Sequence, residues 1–227
     1  EIPVFASMWN MDGLILMGFC EADYEALRSQ TRISFVVYDG YFAACSKVVN
    51  LTIGHYDGGY QAGQYARELG HTKALCLADN DLCMDKERMD GFRAAFAPGK
   101  ALFWQIPALQ KERSAYYAEH FRRFLNLHST VVFAASDFYA LDFMRFLQTK
   151  GVRIPDDVQI IGFDDTAASR ESVPTLTTVH QDAAQRAKTA LACLEAMRSG
   201  KECEAQIVLP GTLIPRESTR KMPCRTL

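Results

Sequence analysis

The sequence predicts an α/β fold built on parallel β-sheets. Short runs rich in valine, isoleucine and other apolar residues alternate along the chain with stretches whose apolar residues recur at helical spacing. Most of the strand-like runs carry apolar residues at consecutive positions, which is typical of strands covered on both faces. Steady alternation of strand and helix is the α/β pattern.

Six segments are predicted to form strands. Each is short and apolar, and helical or turn-like sequence lies between most of them. They are residues 13–17, 33–38, 74–78, 102–106, 131–135 and 159–163.

Three stretches are predicted to form helices, and each ends at a glycine. Gly70, Gly151 and Gly200 follow the last apolar residue of their stretches closely, as a C-terminal capping glycine does. The apolar positions that define the three helices are Ala62, Tyr65, Ala66 and Leu69; Leu141, Met144 and Leu147; and Ala187, Ala190, Leu191, Leu194 and Met197.

One connection is too short for this pattern. "EIPVFASM" (1–8) and "DGLILMG" (12–18) both have strand character, and only residues 9–11 separate them. Parallel neighbours need a crossover of about a dozen residues, usually a helix. We therefore expect the full protein to contain a helix between Met8 and Asp12 that this chain omits. The same concern applies at Pro98–Gly99, where a predicted helix passes quickly into a strand.

Composition narrows the class of protein. The 227 residues suffice for one large or two small domains, and 48% hydrophobic with 23% charged residues is typical of a soluble globular protein. A net charge of -2 argues against a surface that is basic throughout, so the 227 residues alone are not expected to bind nucleic acid. No apolar run approaches the roughly 20 residues that span a bilayer.

The cysteines and histidines indicate neither a disulfide framework nor a metal site. The cysteine count is odd, and no pair has CxxC spacing, which suits reduced, buried thiols in a cytoplasmic protein. The histidines show neither metal-ligand spacing nor a motif with a nucleophile. We expect no metal, cofactor or catalytic residue. The residues concerned are Cys20, Cys45, Cys76, Cys83, Cys193, Cys203 and Cys224, with His55, His71, His120, His128 and His180.

Six short motifs occur in an order that resembles a known family. Each is weak alone, but together they cover nearly the whole chain and resemble the effector-binding, periplasmic-binding-protein-like core of the lac repressor/gal repressor family of bacterial transcription regulators. The motifs are "NMDGLIL" (10–16), "LGH" (69–71), "RMDGFRAAF" (88–96), "IPDDVQIIGFDDT" (154–166), "PTLTTVHQD" (174–182) and "IPREST" (214–219).

The resemblance implies two flavodoxin-like lobes with parallel sheets, joined by three crossing segments, with a ligand cleft between them. Lobe one would hold residues 1–53 and 181–209 and be incomplete at its N-terminus. Lobe two would hold residues 54–180 and 210–227. In open α/β sheets ligands bind beyond the carboxyl ends of the strands, which agrees with a cleft there.

The resemblance also implies the partners. A small polar metabolite, most simply a sugar, would act as effector, and operator DNA would be bound through a helix-turn-helix that lies upstream of this chain. The protein would be a cytoplasmic homodimer without membrane contact, paired through residues 138–150 and 171–173. Two alternatives are a periplasmic solute-binding protein for sugar uptake and, less favoured, an α/β enzyme of flavodoxin-like fold.

Two adjacent acids follow the strand at residues 159–163. Asp164 matches the position at which the family binds effector, and an ionised carboxylate can accept two hydroxyl hydrogens at once. Adjacent side chains point to opposite sides, so Asp165 is predicted to be structural, capping a short helix. The alternative is that both acids only start that helix.

Arg88 and Asp39 are the next candidates. Arg88 matches the family's arginine that forks onto ligand oxygens, and it is predicted in the first turn of a helix capped by Asp85. Asp39 ends the strand at residues 33–38 and matches a lobe-one contact, although an aspartate before glycine also suits a simple turn.

The remaining candidates depart from the family pattern. Ser136 stands where the family commonly has an amide side chain, so that hydrogen-bonding group is either lost or replaced by a shorter hydroxyl. Asp137 is predicted as the helix cap. Arg113 stands where an aromatic wall is frequent. Tyr116, Phe138 and Trp104 are alternative aromatic residues for the pocket, although a place in the core is the favoured prediction for each. "DGGYQAG" (57–63) lacks a nucleotide-binding fingerprint, and Asp57 is predicted to be its N-cap.

Overall fold

The computed structural model describes residues 11–17, 33–40 and 47–221. The chain forms two compact units, Glu1–Gly54 with Asp182–Pro210 and His55–Gln181 with Gly211–Leu227. The chain therefore passes from one unit to the other three times. Each break lies one residue after the corresponding lobe boundary expected from the sequence.

The described residues contain ten strands and six helices. The strands are β1 (Gly13–Met17), β2 (Ser34–Tyr38), β3 (Val48–Ile53), β4 (Lys73–Ala78), β5 (Lys100–Gln105), β6 (Val131–Ala134), β7 (Gln159–Asp164), β8 (Thr177–His180), β9 (Gln206–Leu209) and β10 (Thr212–Ile214). The helices are α1 (His55–Glu68), α2 (Cys83–Phe96), α3 (Gln110–Leu127), α4 (Asp137–Thr149), α5 (Ala167–Glu171) and α6 (Ala183–Arg198). None of these helices is both long and apolar enough to cross a bilayer.

The first unit is built on a parallel sheet in the order β1-β2-β3-β9. Strands β2 and β3 are buried almost throughout, and α6 packs against one face of them. Val36, Val49 and Leu51 of the sheet and Ala190 of the helix form its core. Asp182 caps α6 by accepting a hydrogen bond from the backbone N–H of Gln185.

The second unit is built on a larger sheet in the order β10-β8-β7-β6-β4-β5, parallel except for β10. Side chains of β4 alternate between two cores. Leu75 and Leu77 pack with residues of α3 and α4. Ala74, Cys76 and Ala78 point to the other face and pack with residues of α1 and α2. Helices cover both faces, as consecutive apolar residues predict.

All six predicted strands are present, with ends that shift by at most two residues. Gly70, Gly151 and Gly200 have positive φ at the ends of α1, α4 and α6, which confirms the three predicted helix ends. Strands β3, β8, β9 and β10 were not predicted. Strands β8, β9 and β10 are only three or four residues long, and in β3 the polar Asn50 interrupts the apolar run.

The two short connections have different outcomes. The turn after α2 is complete, since Gly99 donates its N–H to the Phe96 carbonyl (2.9 Å) and Lys100 starts β5 directly. Helix α2 provides the crossover from β4 to β5, and the short turn at Pro98–Gly99 joins this helix directly to β5. The helix expected between Met8 and Asp12 falls on residues that largely lie outside the described ones.

The predicted state of the cysteines holds in part. Cys76 and Cys193 are buried and unpaired in the structure, and Cys203 is half-buried. Cys83 is exposed, because it is the first residue of α2 and lies on the surface. Cys20, Cys45 and Cys224 lie outside the described residues.

Candidate functional site

Polar side chains gather where the central strands of the second unit end. Asp79 follows β4, Ser136 follows β6 after one residue, and Asp164 is the last residue of β7. These strands are parallel neighbours, so their carboxyl ends lie at one edge of the sheet, where α/β proteins bind ligands.

Arg88 is buried at this edge and tightly oriented. Its guanidinium lies 4.0 Å from the centre of the Phe163 ring. Nε donates to Nδ1 of His55 (3.1 Å), and Nη1 donates to the carbonyl of Ala135 (2.6 Å) and to Oδ1 of Asp164 (3.3 Å). Nη2 donates to no described residue, so two N–H groups remain for a ligand.

Asp164 contacts Arg88, and both residues were predicted separately as effector ligands. Its Oδ1 also accepts from Nε2 of Gln181 (2.7 Å), while 29% of its side chain stays exposed. Burial raises the pKa of Asp164 to about 6, although Arg88 acts in the opposite direction. The residue also has φ of 117°, a conformation that costs a non-glycine residue energy and is common at functional sites.

The Asp165 carboxylate is bonded within the protein, and the residue is not the predicted helix cap. The N-cap of α5 is Thr166, whose hydroxyl accepts from the N–H of Ser169. The Asp165 carboxylate instead contacts Arg216 and Arg170 (3.1 Å) and His180 (2.8 Å). Burial alone would raise its pKa, but the hydrogen bonds from Arg216 and His180, together with the charges of Arg216 and Arg170, outweigh burial and lower it.

The other predicted caps are shifted along the chain. Ser136, in extended conformation, caps α4 by accepting from the N–H of Phe138 (3.1 Å), so Asp137 is the first helical residue. The buried Asp137 carboxylate accepts from Thr166 and Thr178 and ties α4 to β8. Burial raises its pKa.

Asp85 and Asp57 are not caps either. Helix α2 starts two residues before Asp85, which places Arg88 in the second turn. Helix α1 starts at His55, so Asp57 lies inside its first turn. In both cases the helix extends further towards its N-terminus than the nearest acidic residue indicates.

Asp79 and Tyr139 at this edge were not predicted from the sequence. Asp85 was predicted only as a helix cap and not as a residue of the site. Burial, followed by the charges of Asp79 and Asp164, raises the pKa of Asp85 to about 6 against the effect of Arg88. Burial, followed by the negative charges of Asp85 and Asp79, raises the pKa of Tyr139. Strand-end position was the available signal for Asp79, since it follows β4 as Asp164 ends β7.

Asp39 lies in the first unit and is already engaged. Its Oδ2 is 2.7 Å from Nη2 of Arg186, and its Oδ1 accepts from the Thr52 hydroxyl (3.1 Å). Arg186 lies over the Tyr38 ring at 4.0 Å. The residue follows β2 with φ of 54°, which fits both the predicted turn and a strand-end position. Arg186 was not predicted.

The residues considered for an aromatic wall of the pocket differ in their burial and in their contacts. Arg113 is buried, and each of its three nitrogens donates one hydrogen bond within the protein, to the carbonyls of Pro107 and Ala108 and to Asp142. Phe138 packs against it and is 47% exposed, which leaves an aromatic surface open. Tyr116 stacks on His120 with ring centres 4.1 Å apart. Trp104 belongs to the core.

A cavity of about 1330 Å³ lies away from these residues. Its lining includes Lys73, Thr130 and Val158, which start or precede β4, β6 and β7, so it lies at the amino edge of the sheet. It contains none of the predicted site residues. Among the described residues no histidine, cysteine and acidic side chains form a group of three suited to a metal ion.

Comparison with known proteins shows which domain family and which relatives the chain resembles. The model of the periplasmic binding protein-like domain family matches residues 64–219. The HTH-type transcriptional repressor PurR of Vibrio cholerae serotype O1 is 34% identical over 155 residues, which are 66% of this chain and 46% of that protein. The chain spans about half the length of the curated relatives it matches first.

Solved structures agree on the fold. A periplasmic binding protein/LacI transcriptional regulator from Alkaliphilus metalliredigens, complexed with D-xylulofuranose, has a TM-score of 0.84 at 24% identity and covers 96% of this chain and 80% of its own. The transcriptional regulator CelR–cellobiose complex has a TM-score of 0.77 at 26% identity, covering 92% and 66%. The chain therefore belongs to the periplasmic binding protein-like domain family, in the form found in bacterial transcription regulators of the lac repressor/gal repressor family.

Proposed function

We propose that this chain is the effector-sensing core of a transcription regulator, and that a small hydroxyl-rich metabolite, such as a sugar, binds at the carboxyl edge of the second unit's sheet. The observation that carries this proposal is the pair of Arg88 and Asp164. Both are held in place by the protein, yet each keeps hydrogen-bonding capacity for a ligand.

The chemistry of the pair suits hydroxyl groups. The partly exposed Asp164 carboxylate can accept hydrogens from two neighbouring hydroxyls, and Nη2 of Arg88 can donate to a ring or hydroxyl oxygen. Ser136 beside them offers a hydroxyl, and the exposed Phe138 ring offers a surface for the apolar face of a sugar. Asp39, in the first unit, is a second proposed contact.

Relatives support the regulatory part of the proposal. PurR carries the name of a transcriptional repressor, and CelR was solved with cellobiose. We infer that operator DNA is bound by a helix-turn-helix outside these residues. Effector binding would change operator affinity through a coupling free energy of ~1–3 kcal/mol.

A homodimer is part of the same proposal. Residues 138–150 and 171–173 are the proposed contacts, and Val173 is 82% exposed in the single chain. Exposed apolar side chains of this kind are frequent in subunit interfaces. Sedimentation equilibrium is expected to give a dimer, and Val173→Asp is expected to weaken it.

We assign no reaction to the site. Among the described site residues, no serine or cysteine is hydrogen-bonded to a histidine as an activated nucleophile would be. Asp164 and Asp165 contact different partners and do not face one substrate bond together. Turnover of a bound sugar by the purified chain would contradict this assignment.

A thermal-shift screen followed by calorimetry tests the proposal. D-ribose, D-xylulose, cellobiose and related sugars are the probes, and a sugar at 100 times its Kd adds about 2.7 kcal/mol to the free energy of unfolding. Arg88→Ala and Asp164→Asn should abolish or strongly reduce the shift, whereas the exposed control Asp157→Asn should keep it. A sugar that stabilises all three variants equally would bind elsewhere and would overturn the proposal.

A further inference from the structure

His55 is buried and contacts the proposed site through Arg88. It is the first residue of α1, directly after the chain enters the second unit, and only 1% of it is exposed. Its Nδ1 lies 3.1 Å from Nε of Arg88. An arginine is always protonated in a protein, so its Nε always carries a hydrogen and must be the donor of this bond.

The direction of that hydrogen bond determines the state of the histidine. Nδ1 can accept only if it carries no proton, so the ring proton must be on Nε2 and the ring must be neutral. An imidazolium would have no lone pair to offer and would place a second positive charge against the guanidinium. We infer that His55, as a neutral imidazole with its proton on Nε2, is the positioning residue that orients Arg88 for its ligand.

The bond matters because it completes the restraint on the guanidinium. Nη1 is fixed by Ala135 and Asp164, and the Phe163 ring supports one face at 4.0 Å. The acceptor on His55 satisfies Nε, which would otherwise be a buried donor without a partner. Rotation of the planar group is then prevented, and Nη2 is the nitrogen left for the ligand.

The backbone of two helices brings His55 within reach. Helices α1 and α2 approach so closely that a Cβ atom on Gly59 would collide with the carbonyl oxygen of Arg88. A Cβ on Gly91 would likewise collide with the carbonyl oxygen of Tyr56. Glycine at these contacts therefore sets the separation at which the two side chains form a direct hydrogen bond.

Nuclear magnetic resonance tests the inference without any ligand. In the 227-residue chain, long-range ¹H–¹⁵N correlations should show His55 neutral with its proton on Nε2, and the Nε–H of Arg88 should exchange slowly with water. His55→Asn places an oxygen acceptor at the position of Nδ1 and should retain the slow Arg88 signal. His55→Leu has a similar shape without an acceptor and should lose it.

A matched control separates this effect from the loss of any buried histidine. His71 is also buried in the second unit, but its Nδ1 is bonded to Thr130, so His71→Asn should leave the Arg88 signal unchanged. A proton on Nδ1 of His55 at neutral pH, or a slow Arg88 signal in a folded His55→Leu variant, would overturn the inference.

The part that concerns ligand binding rests on the proposed function, and calorimetry with D-ribose and cellobiose examines it. His55→Leu should weaken binding about tenfold or more, His55→Asn by less than about threefold, and neither should add to the loss in an Arg88→Ala background. If neither sugar binds the unaltered chain, the sugar proposal is weakened, while the resonance experiment still decides the role of His55. Equal loss in the Leu and Asn variants would contradict positioning through an acceptor.

Discussion

Two acid–arginine clusters stand side by side at the end of β7, and they differ in how completely they are satisfied. Asp165 is 5% exposed in its side chain and contacts three basic side chains, those of Arg216, Arg170 and His180. Asp164 is 29% exposed, and Arg88 is its one charged partner among the residues that the structure describes. Within the same described residues, Nη2 of Arg88 has no acceptor.

This difference shows how adjacent residues at one strand end can have different roles, one in holding the fold together and the other in binding a ligand. A saturated carboxylate holds its neighbours together, because any new partner must displace an existing one. An unsaturated carboxylate that is already desolvated gains more from a ligand, since much of its cost of leaving water is met on folding. The opposite shifts of the two pKa values express this contrast, raised for Asp164 and lowered for Asp165.

The largest effect on stability is expected from Asp165→Asn. The change keeps the shape but leaves the largely buried Arg216 without its anionic partner, and breaking a buried ion pair costs about 3 kcal/mol or more in the free energy of unfolding. Urea denaturation measures the loss. Asp157→Asn, which breaks the exposed pair with Arg153, should change stability little. Similar small losses in both variants would show that the Asp165 cluster is not structural.

Asp164→Asn is expected to act on binding instead. It removes charge-assisted hydrogen bonds worth ~1.5–3 kcal/mol, so the Kd of the effector should rise roughly tenfold to a hundredfold. Ionising the buried Asp164 carboxyl is unfavourable, so the free energy of unfolding of the Asp164→Asn variant should equal or exceed that of the unaltered protein. Calorimetric titration and thermal melting of the same samples give both quantities. If Asp165→Asn abolished binding in a folded protein and Asp164→Asn did not, the assignment of the pair would be reversed.

The pH dependence should separate the two acids. The folded-state pKa of Asp164 is raised from 3.8 to about 6, so its contribution to stability is present at acid pH and lost as pH rises through about 6. Effector affinity follows the opposite course, falling by up to about tenfold per unit below pH 6 as the carboxylate is protonated. The pKa of Asp165 is lowered, so its stabilisation persists above its unfolded pKa and is lost only as pH falls through the folded value.

Measuring Kd between pH 5 and pH 8 tests this separation. Asp85 also has a pKa of about 6, so the profile of Asp85→Asn must be compared with that of Asp164→Asn. The Asp164→Asn profile should be nearly flat and the Asp85→Asn profile should retain most of its slope. The reverse result would assign the titration to Asp85.

Local pattern predicted much of the fold and the position of the central pair. Consecutive apolar residues located β7, and its end located Asp164, while motif order located Arg88. The missing information is long-range: Arg88 bonds to a histidine 33 residues away and Asp165 to an arginine 51 residues away. Nothing in the neighbouring sequence of either residue indicates those partners.

The errors in the predicted caps have a related cause. Serine and aspartate are both good N-caps, and adjacent ones cannot be ranked by residue type. Backbone conformation decides, since Ser136 is extended at φ of −147° whereas Asp137 has entered the helix. Asp137 is then free to bond Thr178, a contact that sequence spacing does not reveal.

Ser136→Ala is expected to have the smallest effect, and it tests whether Ser136 only caps α4 or also acts on Asp164. Loss of the cap should lower the free energy of unfolding by about 1 kcal/mol. The Ser136 hydroxyl also acts to lower the pKa of Asp164, so its removal should raise that pKa further and move the pH dependence of effector binding upwards. Ser136→Thr keeps the hydroxyl and should restore both properties. If the alanine variant is less stable yet has an unchanged pH profile, Ser136 is a cap only, and the binding surface ends at Asp164.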